Sequence, residues 1–285
     1  MADNPPVIEG CGMQNQISIT RPQAGYWRAT FSNPPINLID PDTIAELSDL
    51  VAELERDPDV KVIVFQSSDP DFFLAHYDVL ADKARTAAMA PGPTGMHPWL
   101  DVLSRLSRAP VVSIAAIRGR ARGAGSEFAL ACDIRFASEK AVLGQFEVGV
   151  GAVPGANPMA RLGGLVGRGR AIEIVLGADD FSGALAERYG YVNRTLPDGD
   201  LDVFVDGFAR RVAGFEKEAL AEAKRFLDQV SLPDDALFPA ALETFFRSVA
   251  RPATRARMAA LLEAGLQTRS AVELELGRHV VLTRT

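Results

Sequence analysis

Glu127 is the residue of this chain best placed to carry out chemistry, because it directly follows a glycine-rich turn. The stretch from Gly119 to Glu127 (GRARGAGSE) continues an apolar run at 111–117 that predicts a buried strand, and Ser126 to Ala131 predicts a short helix. A helix start offers unpaired N–H groups and a positive dipole end to an oxygen that gains charge during a reaction. Helical side chains lean towards the N-terminus, so we expect the Glu127 carboxylate beside the N–H of Ala124. The stretch therefore predicts a donor and a carboxylate at one point.

Composition and charge exclude several classes of function. Of the 285 residues, 47% are apolar and 24% charged, as in a soluble globular protein, and the net charge of −7 argues against binding to a nucleic-acid backbone. No apolar run approaches the roughly 20 residues of a membrane span, and the N-terminus lacks a signal pattern. The two cysteines, Cys11 and Cys132, predict neither a disulfide nor a metal site. These features favour a cytoplasmic protein.

The order of predicted elements favours an α/β core followed by helices. We expect a loose leader at 1–14, an α/β core at 15–200 and a helical region at 201–285. Two strands, a helix that begins at Asp40-Pro41 and a buried strand at 60–65 are typical of α/β layering. Later helices are predicted at 167–177, 200–213, 216–229, 234–249 and 253–266. Their apolar stripes predict that they fold back or pack on another chain.

Three segments match a family pattern in their order and spacing. Phe73-Leu-Ala-His-Tyr-Asp78 resembles F-x-A-G-x-D, and Gly119 to Asp133 resembles G-x-x-x-G-G-G-x-E-(x)5-D. The run from Gly144 to Gly155, with Glu147 inside it, is similar to G-x-P-E followed by G-x-x-P-G. Together these segments resemble the crotonase superfamily, the enoyl-CoA hydratase and isomerase family, over about residues 15–270. The resemblance implies a ClpP/crotonase-like spiral of ββα units, with a C-terminal helical region that drives assembly into a homotrimer or hexamer.

The resemblance also implies roles for particular residues in an acyl-CoA site. The backbone N–H groups of Tyr77 and Ala124 would form an oxyanion hole for the thioester oxygen, and Glu127 and Glu147 would be the two catalytic carboxylates. Addition of water to an unsaturated thioester needs a base for the water and an acid for the α-carbon, and two carboxyl groups can supply both. Four further residues are expected to contact the substrate: Ala75, His76, Gly123 and Gly155. The resemblance implies no cofactor, because coenzyme A is part of the substrate, and no metal.

Each of these residues also has a structural interpretation. Glu127 could serve the helix dipole and Glu147 could be a solvated acid, but their joint placement beside two matched motifs favours catalysis. His97 lies in a predicted surface flap and receives no role. The His76-Tyr77 pair departs from the small residues of the family, which leaves another reaction open: isomerisation, hydrolysis or carbon–carbon cleavage of an acyl-CoA. A non-catalytic binding protein of the same fold is a further alternative.

Overall fold

Ten strands and thirteen α-helices are found in the described part of the chain. The computed structural model describes residues 15–282, so the predicted leader at 1–14 lies outside the described residues. The strands are β1 (Ile17–Gln23), β2 (Tyr26–Phe31), β3 (Val62–Ser67), β4 (Phe72–Leu74), β5 (Val112–Ile117), β6 (Arg120–Arg122), β7 (Ile134–Ser138), β8 (Val142–Gly144), β9 (Asp180–Ser182) and β10 (Arg194–Leu196). The helices are α1 (Pro41–Arg56), α2 (Lys83–Ala88), α3 (Pro98–Arg108), α4 (Ala124–Ala131), α5 (Pro158–Val166), α6 (Arg168–Gly177), α7 (Gly183–Tyr189), α8 (Leu201–Ala213), α9 (Lys217–Ser231), α10 (Phe238–Val249), α11 (Pro252–Glu263), α12 (Ala271–Leu274) and α13 (Leu276–Val280).

From β3 to β8, successive strands alternate between two sheets. The larger sheet has the order β1-β2-β3-β5-β7-β10 and the smaller one β4-β6-β8-β9. Neighbours pair in parallel except β1 with β2 and β8 with β9. The pairs β3–β4, β5–β6 and β7–β8 each place one strand in each sheet before the chain enters a helix or a short 3-10 turn. This arrangement confirms the predicted spiral of ββα units.

An aromatic cluster fixes α4 between the sheets. The Phe128 ring meets those of Phe31, Phe65 and Phe73 at centroid distances of 5.4, 5.0 and 6.4 Å. All four side chains are fully or almost fully buried. Buried aromatic residues contribute large apolar areas, and edge-to-face pairs add about 0.5–1.5 kcal/mol each. The residue before Phe128 is Glu127, so this packing also fixes the position of the predicted catalytic carboxylate.

The last third of the described chain is helical, as predicted. Helix α8 packs Leu201, Val205 and Ala209 against the larger sheet. The predicted helix at 234–249 begins as a 3-10 turn at 235–237 and becomes α10 at Phe238. Pro239 lies in the first turn of α10, where its missing N–H costs nothing. The division into a core and a helical region at residue 200 stays a prediction. Among residues 15–282, no helix is long and apolar enough to cross a membrane.

Candidate active site

A cavity of about 140 Å³ lies where α4 begins, next to the end of β4. Six of the eight predicted site residues line it: His76, Tyr77, Ala124, Glu127, Glu147 and Gly155. The other two lie directly behind its wall. Ala75 packs with Ile36 and Phe72, and Gly123 lies against the carboxyl group of Glu147. The structure therefore brings three distant motifs to one cavity.

The cavity has two backbone N–H groups that are free to bind an oxygen. The N–H of Ile39 donates to the carbonyl of His76 and the N–H of Asp78 donates to the carbonyl of Ile39, so the N–H of Tyr77 points the other way. The N–H of Ala124 belongs to the first turn of α4 and has no acceptor within the helix. Within residues 15–282, neither N–H donates a hydrogen bond. Two such donors in one cavity suit a substrate oxygen that becomes negatively charged.

Gly125 allows the two amides to come together. A Cβ atom built at this position would lie 1.9 Å from the carbonyl oxygen of Leu74, at the end of β4. No side chain fits there, so glycine is required if the start of α4 is to lie against the loop that holds Tyr77. Gly123 has a φ of +49°, and its Cβ would lie 2.7 Å from Oε1 of Glu147. The glycine spacing noted in the sequence is thus explained by two close approaches.

Glu127 is buried but well provided with hydrogen bonds. Its Oε2 accepts from the indole Nε1–H of Trp99 at 3.1 Å, and its Oε1 accepts from the backbone N–H of Ala156 at 2.9 Å. Burial raises the pKa of Glu127, while these two hydrogen bonds and the charge of Arg161 lower it. Donors that point at both oxygens stabilise the ionised form. Glu127 is therefore the group of the pair better suited to be a carboxylate.

The carboxyl group of Glu147 is also buried but has fewer hydrogen-bond donors than that of Glu127. Its side chain is 8% exposed, and its Oε2 has no hydrogen-bond partner within residues 15–282. Burial, and next the charge of Glu127, raise the pKa of Glu147 to about 8. Two carboxyl groups in one apolar site do not both ionise easily, and the one with fewer donors keeps the proton more readily. The surroundings of the two groups therefore favour a proton on Glu147 over one on Glu127.

Both ring nitrogens of His76 contact other groups of the protein. Its Nδ1 lies 2.8 Å from the carbonyl oxygen of Tyr77, and its Nε2 lies 3.1 Å from Oε2 of Glu273 in α12. Both ring nitrogens thus face oxygen atoms of the protein. The ring lines the cavity, but neither nitrogen is free for a ligand. The structure therefore supports contact with a substrate through the ring edge rather than through a hydrogen bond.

Several residues of the site were not identified from the sequence. Trp99 and Ala156 hold Glu127, and the turn that presents Ala156 is closed by Asn157, whose φ is +49° and whose side chain caps α5. His97, which received no role, lines the cavity; its Nδ1 accepts from the N–H of Trp99, and burial lowers its pKa, so the ring is neutral. The opposite wall comes from α10 and α11. A buried tryptophan usually donates its N–H to a partner, so the sequence could have indicated that Trp99 donates a hydrogen bond, though not that the acceptor is Glu127.

The site contains no obvious place for a metal. Within residues 15–282, no group of three or more His, Cys, Asp or Glu side chains is arranged to hold a metal ion. The chemically active groups are the carboxyl pair and the two amides, which act on protons and on a developing negative charge. These features suit acid–base chemistry on a substrate that presents a carbonyl oxygen and an apolar group.

Comparison with known proteins identifies the family. The family model described as enoyl-CoA hydratase/isomerase matches residues 21–247. A short-chain-enoyl-CoA hydratase from Clostridium acetobutylicum is 28% identical over 79% of this chain and 82% of its own length. A crotonyl-CoA hydratase from Syntrophomonas wolfei is 33% identical over 62% and 67%. The crystal structure of a Streptomyces avermitilis protein classed as an enoyl-CoA hydratase superposes with a TM-score of 0.88, at 45% identity over 93% of this chain and 96% of that one. The chain belongs to the enoyl-CoA hydratase/isomerase family and is an enzyme of that family.

Proposed function

We propose that this enzyme adds water across the double bond of an α,β-unsaturated acyl-CoA thioester, or removes water in the reverse direction. The observation that carries the proposal is the unequal carboxyl pair: Glu127 accepts two hydrogen bonds, while Glu147 has a pKa raised to about 8. Hydration needs one group of each kind at the same moment. Relatives named as hydratases of short-chain enoyl-CoA and crotonyl-CoA support the same reaction.

The chemistry follows from the positions of the groups. The thioester oxygen accepts hydrogen bonds from the N–H groups of Tyr77 and Ala124, which stabilise it as it becomes an enolate; loss of one such donor typically costs about 3–4 kcal/mol. Glu127 takes a proton from water, and the resulting oxygen bonds to the β-carbon. Glu147 gives its proton to the α-carbon, and transfer of the proton from Glu127 back to Glu147, directly or through water, then restores both groups for the next turnover. Each proton transfer of this kind contributes about 10²–10⁴-fold to the rate.

The other reactions of the fold are not favoured. Moving a double bond needs one group that removes and returns a proton, whereas this site holds two carboxyl groups, both with a pKa raised by burial but with different hydrogen-bond donors. Hydrolysis or carbon–carbon cleavage would not use a protonated Glu147 beside the α-carbon. A binding protein would gain nothing from a pair of carboxyl groups buried in an apolar cavity, since their burial is costly.

The test is an assay of hydration with crotonyl-CoA, followed by the loss of absorbance of the conjugated thioester. We expect Glu147→Gln and Glu127→Gln each to lower kcat by about 10²–10⁴-fold. Glu275→Gln is the control, because Glu275 is exposed and pairs with Arg278 on the surface. Equal rates for the wild type and Glu147→Gln, or no hydration by the wild type on any enoyl-CoA, would refute the proposal.

Three further properties belong to the same proposal. The enzyme needs no cofactor, because protons and water are the only species exchanged. It assembles as a homotrimer or hexamer, supported by the exposed apolar side chains of its helical region. It works in the cytoplasm, supported by Cys132, which is a free thiol buried beside β7 as expected in a reducing compartment.

A further inference from the structure

Trp99 lies at the start of α3, where the helix and the apolar core fix its position. His97 caps the helix, because its Nδ1 accepts from the backbone N–H of Trp99 at 3.2 Å. Pro98 occupies the first helical position, for which its fixed φ is suited. The side chain of Trp99 is 6% exposed and belongs to the main apolar core. These contacts hold the indole ring where its N–H reaches Glu127.

Asp101 fixes the segment that precedes α3. Its Oδ1 accepts from the N–H and the hydroxyl of Thr94 at 2.9 and 2.7 Å, and its Oδ2 accepts from Arg105 at 3.1 Å. A Cβ atom at Gly92 would lie 2.1 Å from Cγ of Asp101, so the backbone there packs directly on this carboxylate. Arg105 also donates to Glu55 of α1 at 2.9 and 2.6 Å. The start of α3 is thus held on both sides, and the indole N–H is presented by a rigid element.

The two donors to Glu127 differ in kind. The backbone N–H of Ala156, at 2.9 Å from Oε1, is present with any residue but proline, whereas the indole N–H, at 3.1 Å from Oε2, exists only because residue 99 is tryptophan. An indole N–H donates and cannot accept, so it offers nothing to a proton carried on Oε2. Hydrogen bonds to an ionised acceptor are also about twice as strong as neutral ones. Both properties favour the carboxylate form of Glu127.

We propose that Trp99 is a positioning residue of the hydration reaction: its indole N–H holds the Glu127 carboxylate in one orientation and determines that Glu127, and not Glu147, is the base. This inference rests on the proposed function, because it concerns the base of that reaction. Trp99 exchanges no proton with the substrate and acts through Glu127. Within residues 15–282, Oε2 of Glu147 has no such donor.

The pH profile of hydration tests this role. Trp99→Phe keeps an aromatic ring but removes the N–H, so the carboxylate of Glu127 loses stabilisation and its pKa should rise. We expect the acid limb of kcat/KM for crotonyl-CoA to move up by about one pH unit, the typical effect of one hydrogen bond to a charged group. Trp27→Phe is the matched control and should leave the acid limb unchanged. Trp27 is the other tryptophan of the chain, is also buried, and does not line the cavity.

The position of the acid limb separates a positioning role from simple packing. Loss of packing in Trp99→Phe would lower kcat at every pH without shifting a titration. An acid limb at the same pH in Trp99→Phe and in the wild type would therefore overturn the inference, however far kcat decreased.

Tryptophan fluorescence measures the same contact without substrate and does not require Trp99→Phe to fold. In Trp27→Phe, Trp99 is the sole tryptophan, so the emission comes from the indole beside Glu127. We expect a step in this emission as Glu127 takes up a proton at acid pH, where circular dichroism shows the fold to be intact. The step should disappear when Glu127→Gln is added and remain when Glu147→Gln is added. Absence of the step, or a step that survives Glu127→Gln, would contradict the proposal.

Together the two measurements distinguish this inference from the function on which it rests. Hydration by the wild type with an unshifted acid limb in Trp99→Phe would refute the role of Trp99 and leave the hydratase proposal standing. No hydration of any enoyl-CoA by the wild type would refute the hydratase proposal. The emission step would then decide alone whether Trp99 holds the charge of Glu127.

Discussion

Glu127 and Glu147 have the same side chain, yet their surroundings give them different protonation. Two N–H donors hold Glu127, while Oε2 of Glu147 has no partner in the described part of the chain. Macroscopic pKa values measured for two such neighbours belong to the pair. The proton nevertheless resides mainly on Glu147, because ionisation there would create a second buried charge with fewer donors to stabilise it. This difference has consequences for rate and for stability.

The pH dependence of hydration is the first consequence. Hydration needs Glu147 protonated, and its pKa is raised to about 8. We expect kcat/KM for crotonyl-CoA to be steady near neutral pH and to fall as the pH rises through about 8. An acid limb should appear where Glu127 takes up a proton. A profile without a decrease between pH 7 and 9 would show that Glu147 is not the acid.

Stability is the second consequence, and its sign follows from proton binding. Folding raises the pKa of Glu147 from 4.5 to about 8, so the stability that its protonated form confers is complete below 4.5 and is lost as the pH rises to about 8. Gln at this position does not titrate. We expect Glu147→Gln to stabilise the protein at pH 8 by a few kcal/mol, at about 1.4 kcal/mol per pKa unit, with little effect at pH 4.5.

Urea denaturation of wild type and variant at several pH values measures this difference. Glu275→Gln serves as the control, because Glu275 is exposed and should show no such trend. A difference between wild type and Glu147→Gln that is constant from pH 5 to pH 8 would contradict the expectation.

The sequence was sufficient to predict four residues that meet at the cavity but not the contacts that set the protonation of its two carboxyl groups. Glu127, Glu147, Tyr77 and Ala124 follow from motif spacing, and the structure places all four at one cavity; their catalytic roles stay predictions. The donors that distinguish the two carboxyl groups come from Trp99 and a turn near residue 156, and such contacts between distant segments cannot be found by counting positions. His97 was assigned to a surface flap without a role, because its place at the cavity also depends on contacts between distant segments.

At the scale of elements, the short helix α12 stabilises the loop that holds Tyr77, one of the two predicted oxyanion donors. Glu273 of α12 is fully buried and accepts from His76 and from the N–H of Gln267, and Arg122 lies 3.9 Å from its Oε1. Burial alone would raise the pKa of Glu273, but the charge and hydrogen bond of His76 lower it. His76 in turn donates to the carbonyl of Tyr77. The C-terminal segment thus positions the peptide unit next to one of the two predicted oxyanion donors.

Removal of this negative charge should loosen the loop. In Glu273→Gln the side chain of His76 loses the buried carboxylate that lies 3.1 Å from its Nε2, and breaking a buried pair typically costs about 3–5 kcal/mol. We expect lower stability, faster amide hydrogen exchange in residues 75–79 and 267–280, and a decrease in kcat larger than any increase in KM. Glu275→Gln, two residues away, should change none of these. Unchanged exchange at 75–79 would show that α12 does not position the loop.

Element prediction succeeded where periodic patterns were long. The predicted helices at 167–177 and 200–213 correspond to α6 and α8, with ends that differ by one residue. Helices α5, α7 and α12 were not predicted, nor was strand β9, which has three residues. Such short elements carry too few residues to show a period, and they form because the surrounding fold provides partners: β9, for example, pairs with β8 in the smaller sheet.

For the whole molecule, an apolar stripe on α9 faces solvent in the isolated chain. Phe226, Leu227 and Val230 are 60%, 64% and 84% exposed, and they lie on one side of the helix. Monomeric proteins rarely expose large apolar side chains next to each other, and such clusters mark interaction surfaces. The stripe is therefore a good candidate for part of the interface of the proposed homotrimer or hexamer.

Light scattering after size-exclusion chromatography tests this assembly. We expect a native mass of three or six times the 30.6 kDa of one chain. Leu227→Glu would bury a charge without a partner in the interface, which costs far more than the apolar contact contributes, so the mass should fall towards that of one chain. Gln229→Glu adds the same charge on another side of α9 and should leave the mass unchanged. A wild-type mass of 30.6 kDa would refute the assembly, and an undiminished mass for Leu227→Glu would place the interface away from this stripe.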